Sequence, residues 1–459
     1  MNIKLNSMLF QVYKNITRVT LLLIISITIV SCEDFLDVDP RESISDDATI
    51  VDKTSSETAI RGVYSALGSP GYYGISFQSI GYFSGDNIQW TGSQSQVQEF
   101  INHRVNPENS TIGSAWVAIY NTINRANNVI DKVPLVNDES FSTSDRDKII
   151  GEAYFIRALA YFDLARTFGG VPIVTEPTAS PEDNSGLGRN TLEETYAQVL
   201  SDLETAEPLL DETTNRFRAT KKTVWALKAR YHLYQREWEL AEDYATKIID
   251  DPDFVLIAPY NSFFADDVRG TEESIFEIFY NGTTEVNNHR AQWQPQTRGG
   301  TRQWAPNDTI VKLLNDPEIG GNRNTIIAQD NQGRWYGDLY YRVPASDPSY
   351  VIRIAEIYLI RAEALAQQNR LEEARDDLNR VRERAGLADT EAITQQDILL
   401  AIENERRVEF LQEPHRWFDL VRTGRATEVL NITDPNRFLM PIPIDQILAD
   451  GSLEQNPGY

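Results

Sequence analysis

Tyr154-Phe-Ile-Arg-Ala-Leu-Ala-Tyr-Phe-Asp-Leu-Ala-Arg-Thr-Phe-Gly-Gly-Val-Pro172 is the stretch whose reading decides the fold. Apolar and aromatic side chains recur at helical spacing from Tyr154 to Phe168, and Gly169-Gly170 supplies a stop. Upstream, Ser144 followed by Asp147 fits a capping box, so the helix is long. It is apolar around much of its circumference, which places it inside a helical array rather than on a surface.

The opening of this stretch recurs. Tyr154-Phe-Ile-Arg-Ala158 matches Tyr358-Leu-Ile-Arg-Ala362 at four of five positions. Two further segments share a spacing: Ala229 is followed after twelve residues by Ala241, and Ala362 after twelve residues by Ala374. Small residues at that interval let two antiparallel helices approach closely, the arrangement of a tetratricopeptide-like hairpin. Gln235-Arg236-Glu237 and Gln367-Gln368-Asn369 read as the polar turns. The fold class expected is therefore mostly α, a scaffold of tetratricopeptide-like hairpins with an irregular, loop-rich subdomain.

The 459 residues suffice for a large core, and 41% of them are hydrophobic despite a formal net charge of -25. That balance suits a folded acidic protein and argues against nucleic acid as a partner, since no excess of Lys and Arg exists to replace counterions. Lys4, Lys14 and Arg18 precede an apolar run from Val19 to Val30, too short for a comfortable membrane helix. The run ends Ile29-Val-Ser-Cys32 with the only cysteine in the chain. This looks like a bacterial lipobox: residues 1–31 form a lipoprotein signal peptide, and Cys32 becomes the acylated first residue that anchors the protein to membrane lipid. Residues 32–46 are a tether.

Beyond the tether, 47–249 reads as the first part of a helical scaffold. Helices are expected at Asp47–Leu67, Thr111–Ile130, the central stretch, Thr191–Leu210 and the hairpin of Thr220–Ile249. Between the first two, residues 68–97 are rich in Gly, Ser, Tyr and Phe and read as a loop. From 250 to 349 helical periodicity fades into an irregular subdomain, with one strand expected at Ser274–Tyr280. From 350 to 459 helices return at Val351–Ala385 and Ile398–Val421, followed by a proline-broken tail.

The motifs along this order resemble the SusD/RagB family of Bacteroidota surface lipoproteins. They are Cys32-Glu-Asp-Phe-Leu-Asp-Val-Asp-Pro40, Arg61-Gly-Val-Tyr64, and Gly151-Glu-Ala-Tyr-Phe-Ile-Arg-Ala158 through Gly169-Gly-Val-Pro172. Arg406-Arg-Val-Glu-Phe410, Arg416-Trp-Phe-Asp-Leu420, Pro441-Ile-Pro443 and Gln455-Asn-Pro-Gly-Tyr459 complete the series. The resemblance implies an outer-membrane, lipid-anchored protein facing the cell exterior. It also implies a SusC-like TonB-dependent transporter as partner, and an oligosaccharide, or in some systems a peptide, as cargo.

No His-Glu-x-x-His pattern, Walker loop, Gly-x-Ser-x-Gly elbow or cysteine cluster is present, so neither catalysis nor a metal or cofactor is expected. Sugar rings stack on flat aromatic side chains while amides, carboxylates and guanidinium groups satisfy hydroxyls. On that chemistry Trp90 is the leading candidate, with Asp86 and Asn87 close by in Gly85-Asp-Asn-Ile-Gln-Trp90. Tyr72 and Tyr73 could form a neighbouring face. Asn288, Arg290, Trp293, Trp304, Trp335 and Tyr336 are the candidates in the irregular subdomain. Trp116, Trp225, Trp238 and Trp417 sit in helical segments and are assigned to packing. Arg157, Arg361, Arg406 and Arg407 are expected to brace the helices through carboxylates such as Glu152 or Glu403. The leading reading is a non-catalytic oligosaccharide-binding lipoprotein. The alternatives are a peptide-binding lipoprotein of the same transporter type and a structural, protein-binding helical-repeat lipoprotein.

Overall fold

The computed structural model of the chain describes residues 49–459; the expected signal peptide, Cys32 and the tether lie outside the described residues. In chain order the helices begin with α1 (Lys53–Leu67), α2 (Ser76–Phe83), α3 (Ser95–Ile101), α4 (Ser110–Lys132) and α5 (Thr143–Phe168). Then follow α6 (Leu192–Leu209), α7 (Lys221–Gln235), α8 (Trp238–Ile249), α9 (His289–Trp293) and α10 (Asp308–Asn315). The last six are α11 (Ile354–Gln367), α12 (Leu371–Arg384), α13 (Gln395–Glu409), α14 (Arg416–Arg422), α15 (Ala426–Leu430) and α16 (Ile444–Ala449). Six short strands interrupt them: β1 (Ile88–Trp90), β2 (Ser274–Ile278), β3 (Trp304–Pro306), β4 (Ile327–Gln329), β5 (Trp335–Gly337) and β6 (Ser349–Arg353).

Helix α5 is the axis of the array. Every residue from Phe155 to Phe168 is buried, because α1, α4 and α6 enclose it. Its cap is Ser142, whose side chain accepts from the Asp145 N–H, so the box expected at Ser144 and Asp147 is two residues too late. Full burial forces its charged side chains into pairs. Arg157 grips Asp202 through two hydrogen bonds of 2.9 and 2.7 Å, and Glu152 meets Arg218 at 2.5 Å.

The hairpins form as their spacing requires. Ala229, Ala241, Ala362 and Ala374 are all fully buried where α7 packs on α8 and α11 on α12. Both turns use a left-handed residue seven positions after the first alanine, Arg236 at φ 59° and Asn369 at φ 60°. Helix α11 also packs on α8, so the two hairpins stack, and α13 lies against α11 and α12.

Three sequence expectations change. Residues 68–97 contain α2, which shows no amphipathic period because all of Phe77–Phe83 is buried. Residues 351–353 belong to strand β6, which pairs antiparallel with β2 in the register Ile278↔Ser349. The helix expected over 398–421 is two helices: the first ends at Glu409 and the second starts at Arg416, and Pro414, which lacks an N–H and restricts the residue before it, lies in the break between them. Pro414 then packs onto Gly81, where a Cβ would lie only 2.6 Å from the proline ring.

At the root of the β2–β6 pair lies a buried ionic network. Arg353 reaches Glu273 at 2.8 Å, Glu409 at 2.9 Å and Glu413 at 2.6 Å, while Arg384 pairs with Glu273 and Glu409. Arg323, from the irregular region, pairs with Glu409 and Glu405. Burial alone would raise the Glu409 carboxyl, but the guanidinium groups of Arg384, Arg323 and Arg353 outweigh it and hold the group at about 2. Asp419, between Arg406 and Arg422, is held at about 2 in the same way against the effect of burial. The arginines singled out from sequence do brace the helices, with other partners: Arg361 takes Asp377, Arg406 takes Asp419 and Arg407 takes Asp86. Of the two carboxylates named for them, Glu152 pairs with Arg218, and Glu403 with Arg416 and Arg425.

Candidate ligand-binding face

Strands β1 and β3 pair antiparallel, setting Trp90 opposite Trp304, and β4 pairs with β5, setting Gln329 opposite Trp335. Strand β3 packs beside β5, so the two pairs are neighbours. In a strand successive side chains alternate between faces, which separates Trp335 from Tyr336, whereas Trp90 and Trp304, directly opposite each other, share a face and differ in depth; burial thus divides the aromatics into an inner and an outer set.

The inner set is core. Tyr82, on α2, is ringed by His289, Trp293 and Trp304 at centroid distances of 6.0, 5.7 and 5.6 Å, all edge-to-face. Trp293 is fully buried and Trp304 and Tyr336 nearly so. Burial also drives the His289 imidazole down to about 3, so it stays neutral, with Asn287 Oδ1 bonded 2.8 Å from its Nδ1. Gly337 makes room for this cluster, since a Cβ there would meet Gln412 and Trp293 within 2.7 Å. Trp293, Trp304 and Tyr336 therefore offer no ring face to a ligand. Indole and phenol rings of this size are worth more inside a region with little regular backbone structure than on its surface.

Four other candidates are also committed to structure. Tyr72 and Tyr73 are buried against α5, their hydroxyls donating to Asp163 Oδ2 at 2.6 and 2.9 Å. The Asp86 carboxylate is held by Arg416 at 2.7 Å and Arg407 at 2.8 Å. Asn87 Oδ1 accepts from Arg407 Nε at 2.7 Å. Asp86 and Asn87 thus staple β1 to α13 and α14, and the same backbone carbonyls receive Asn307. The sequence signal that misled was proximity to Trp90; the signal that could have corrected it was the pair of arginines at 407 and 416.

The outer set is Trp90 and Trp335, both half-buried. Trp90 rests edge-to-face on Phe83 at 6.0 Å, and Gly92 folds against its six-membered ring, where a Cβ would lie 2.2 Å from Cζ2. Between the two tryptophans run Arg302 and Gln303, both part-exposed. Arg302 donates from Nε to the Trp335 carbonyl at 2.8 Å, and Thr91 donates to the Arg302 carbonyl at 2.6 Å. Arg302 takes the left-handed region at φ 50°, a conformation that bends the chain back along β3. The result is two indoles on the strands that flank β3, with Arg302 and Gln303 running between them. Arg290 is tied to the Tyr341 and Arg298 carbonyls and supports these loops from behind. Asn288 lies elsewhere, on the wall of a cavity that shares no lining residue with this face.

Among the described residues no group of three or more His, Cys, Asp or Glu could hold a metal ion, and no helix is long and apolar enough to cross a membrane.

Comparison with known proteins is consistent along the chain. A family described as starch-binding and associating with the outer membrane matches residues 34–233, and the SusD family matches residues 276–436. The SusD-like protein P38 of Formosa agariphila is 28% identical, over 97% of this chain and 99% of that protein. A laminarin-binding SusD-like protein superposes with a TM-score of 0.79 at 24% identity, covering 89% of this chain and all of that one. Surface glycan-binding protein A from Bacteroides thetaiotaomicron, solved with laminarihexaose, gives a TM-score of 0.75 at 20% identity over 88% of this chain and all of that one.

Proposed function

The chain belongs to the SusD/RagB family, and from that premise we propose that it captures an oligosaccharide at the cell surface without catalysis and passes it to a SusC-like TonB-dependent transporter. In this reading it is an outer-membrane lipoprotein, acylated at Cys32 and facing the exterior. The observation that carries the sugar assignment is the pair of half-buried indoles, Trp90 and Trp335, on the two strands that flank β3, with Arg302 and Gln303 between them.

Each indole presents an apolar surface to the axial C–H bonds of a sugar ring, and the polar groups between them meet its hydroxyls. The arginine also suits a polyol, because its several N–H donors lie in one plane and bridge adjacent hydroxyl oxygens. A moderate affinity is sufficient, since the ligand must be released inward to the transporter. A chain this acidic gives no general attraction to uronates or sulfates, which favours a neutral glycan.

The test is isothermal titration of the soluble chain from Glu33 onward against fructans, β-glucans, α-glucans, pectins and short peptides. Micromolar binding of one neutral glycan is expected, weakened at least about tenfold by Trp90→Ala, or roughly 1.4 kcal/mol. A response to peptides alone would replace the sugar by a peptide. Glycan binding indifferent to Trp90→Ala and Trp335→Ala would remove the face from the proposal.

A further inference from the structure

Phe279 is the only exposed aromatic ring among the described residues, with 43% of its surface in solvent. It follows directly on β2, whose five residues are all buried, so the strand ends by turning its next side chain outward. The ring is nonetheless fixed. Arg269 sits 5.3 Å from its centroid, and Phe217 meets it edge-to-face at 5.6 Å. An exposed phenyl ring braced from two sides costs hydration free energy and conformational entropy together, and the interior of the fold does not need it.

Phe279 stands on a cavity of about 540 Å³ between the end of α1 and the segment that follows β2. Tyr64 and Phe217 add aromatic wall, while Asn288, Glu285 and Ser69 add polar groups. Among the described residues the Asn288 amide makes no hydrogen bond, the Glu285 carboxylate makes no salt bridge, and the buried Ser69 hydroxyl has no partner. A buried hydroxyl is ordinarily satisfied, so the Ser69 group, beside an amide and a carboxylate that no other side chain engages, marks this cavity as a place that meets a ligand.

The charges decide its class. Arg218 is neutralised by Glu152 at 2.5 Å and Arg61 faces Glu57 at 3.8 Å, which leaves Glu285 as the wall charge without an ion-pair partner among the described residues. An anionic ligand would meet Glu285, and a cationic one the guanidinium groups of Arg61 and Arg218. A neutral polyol suits this wall, because a hydroxyl donates to the carboxylate and accepts from the amide. We infer that this cavity is a second saccharide site, in which a sugar ring stacks on Phe279 while its hydroxyls bond the Asn288 amide and the Glu285 carboxylate. The inference rests on the sugar reading above and extends it: with two separate contact points, a long glycan binds by its chain and not by one short segment. Linking two modest sites on one ligand raises overall affinity without any new contact.

The experiment compares a hexasaccharide by calorimetry with its parent polysaccharide by affinity gel retardation, taking laminarin, levan, starch and galactan as probes. Wild type, Phe279→Ala, Asn288→Ala, Phe279→Trp, Trp90→Ala and the Trp90→Ala/Phe279→Ala double variant are run together. The expected result is that Phe279→Ala and Asn288→Ala weaken polysaccharide retardation roughly five-fold while thermal unfolding is unchanged. Phe279→Trp should retain it. Trp90→Ala should keep a residual retardation that the double variant loses. If Trp90→Ala alone removes all retardation and Phe279→Ala changes none, the second site is overturned and the first stands. If wild type retards on no probe, both readings fall.

Discussion

The stacked helices and the stretch from Asp250 to Tyr350 are consolidated by different chemistry. Between helices α5, α6, α7, α11, α13 and α14 the contacts that recur are buried arginine–carboxylate pairs: Arg157–Asp202, Arg230–Glu356, Arg406–Asp419 and Arg422–Glu363. In the irregular stretch the recurring contact is one aromatic edge against another, around Tyr82 and among Tyr260, Phe263, Phe264 and Tyr350. Ion pairs with fixed geometry tolerate little displacement and specify one register of helices. Aromatic clusters accept varied backbone paths, because edge-to-face packing has a broad optimum. A scaffold built the first way can stay the same while a surface built the second way is remodelled for another ligand.

The largest expected effect lies in the scaffold. Glu409→Gln leaves Arg353, Arg384 and Arg323 without a shared counter-charge and should cost about 4 kcal/mol in urea unfolding. A loss below about 1 kcal/mol would mean that the network contributes position but little stability. Acid separates the regions next. Glu409 and Asp419 are both held at about 2, below their unfolded values, so their stabilisation is present above roughly pH 4.5 and fades as pH falls toward 2. Together with their arginines they should make the scaffold lose on the order of 3 kcal/mol over that window.

Asp347 runs the other way. Burial pushes its carboxyl up to about 6, above its unfolded value, so its charged form is the costly one. Stability should fall by on the order of 2 kcal/mol as pH rises from about 4 through 6. Hydrogen exchange, corrected for intrinsic rates, should show the region around 342–349 better protected at pH 5 than at pH 7, with α5 unchanged between them. Asp347→Asn should erase that difference; if it persists, another group is responsible. The smallest effect is Trp335→Ala, expected to cost under about 1 kcal/mol of stability, because its ring is only half-buried. An equal cost from Glu409→Gln and Trp335→Ala would dissolve the contrast between the regions.

The same contrast governs what could be read from the sequence. Helix α5, both hairpins and their turns were legible because small and apolar residues fall at fixed intervals, and α6 starts at its cap, Thr191, where expected. The segments that identify the family, Arg406–Phe410 and Arg416–Leu420, hold Arg406, Glu409, Arg416 and Asp419, which are members of the buried ionic pairs. They announce a scaffold and say nothing of a ligand. Helix α2 stayed hidden because a fully buried helix has no polar face to set a period. Composition could nominate tryptophans but not sort them. Whether Trp304 or Trp335 faces solvent is decided by strand pairing over three residues, too short a run for alternation to register. Phe279 escaped notice altogether, since nothing local distinguishes an aromatic that ends a strand outward from one that ends it inward.

The antiparallel pairing of β2 with β6 has a consequence for descent and for engineering. The chain departs at Ile278 and returns at its opposite partner Ser349, and Arg353–Glu273 clamps the base of that ribbon. Everything from 279 to 348 is therefore a cassette with a fixed socket. Since closing a loop grows dearer only logarithmically, by about 0.6 kcal/mol for each doubling of length, the socket admits inserts of very different size. Transplanting this interval from one relative to another, cut at those two residues and with Arg323 kept for Glu405 and Glu409, should exchange the Trp335 side of the binding face while the helical array keeps its melting behaviour.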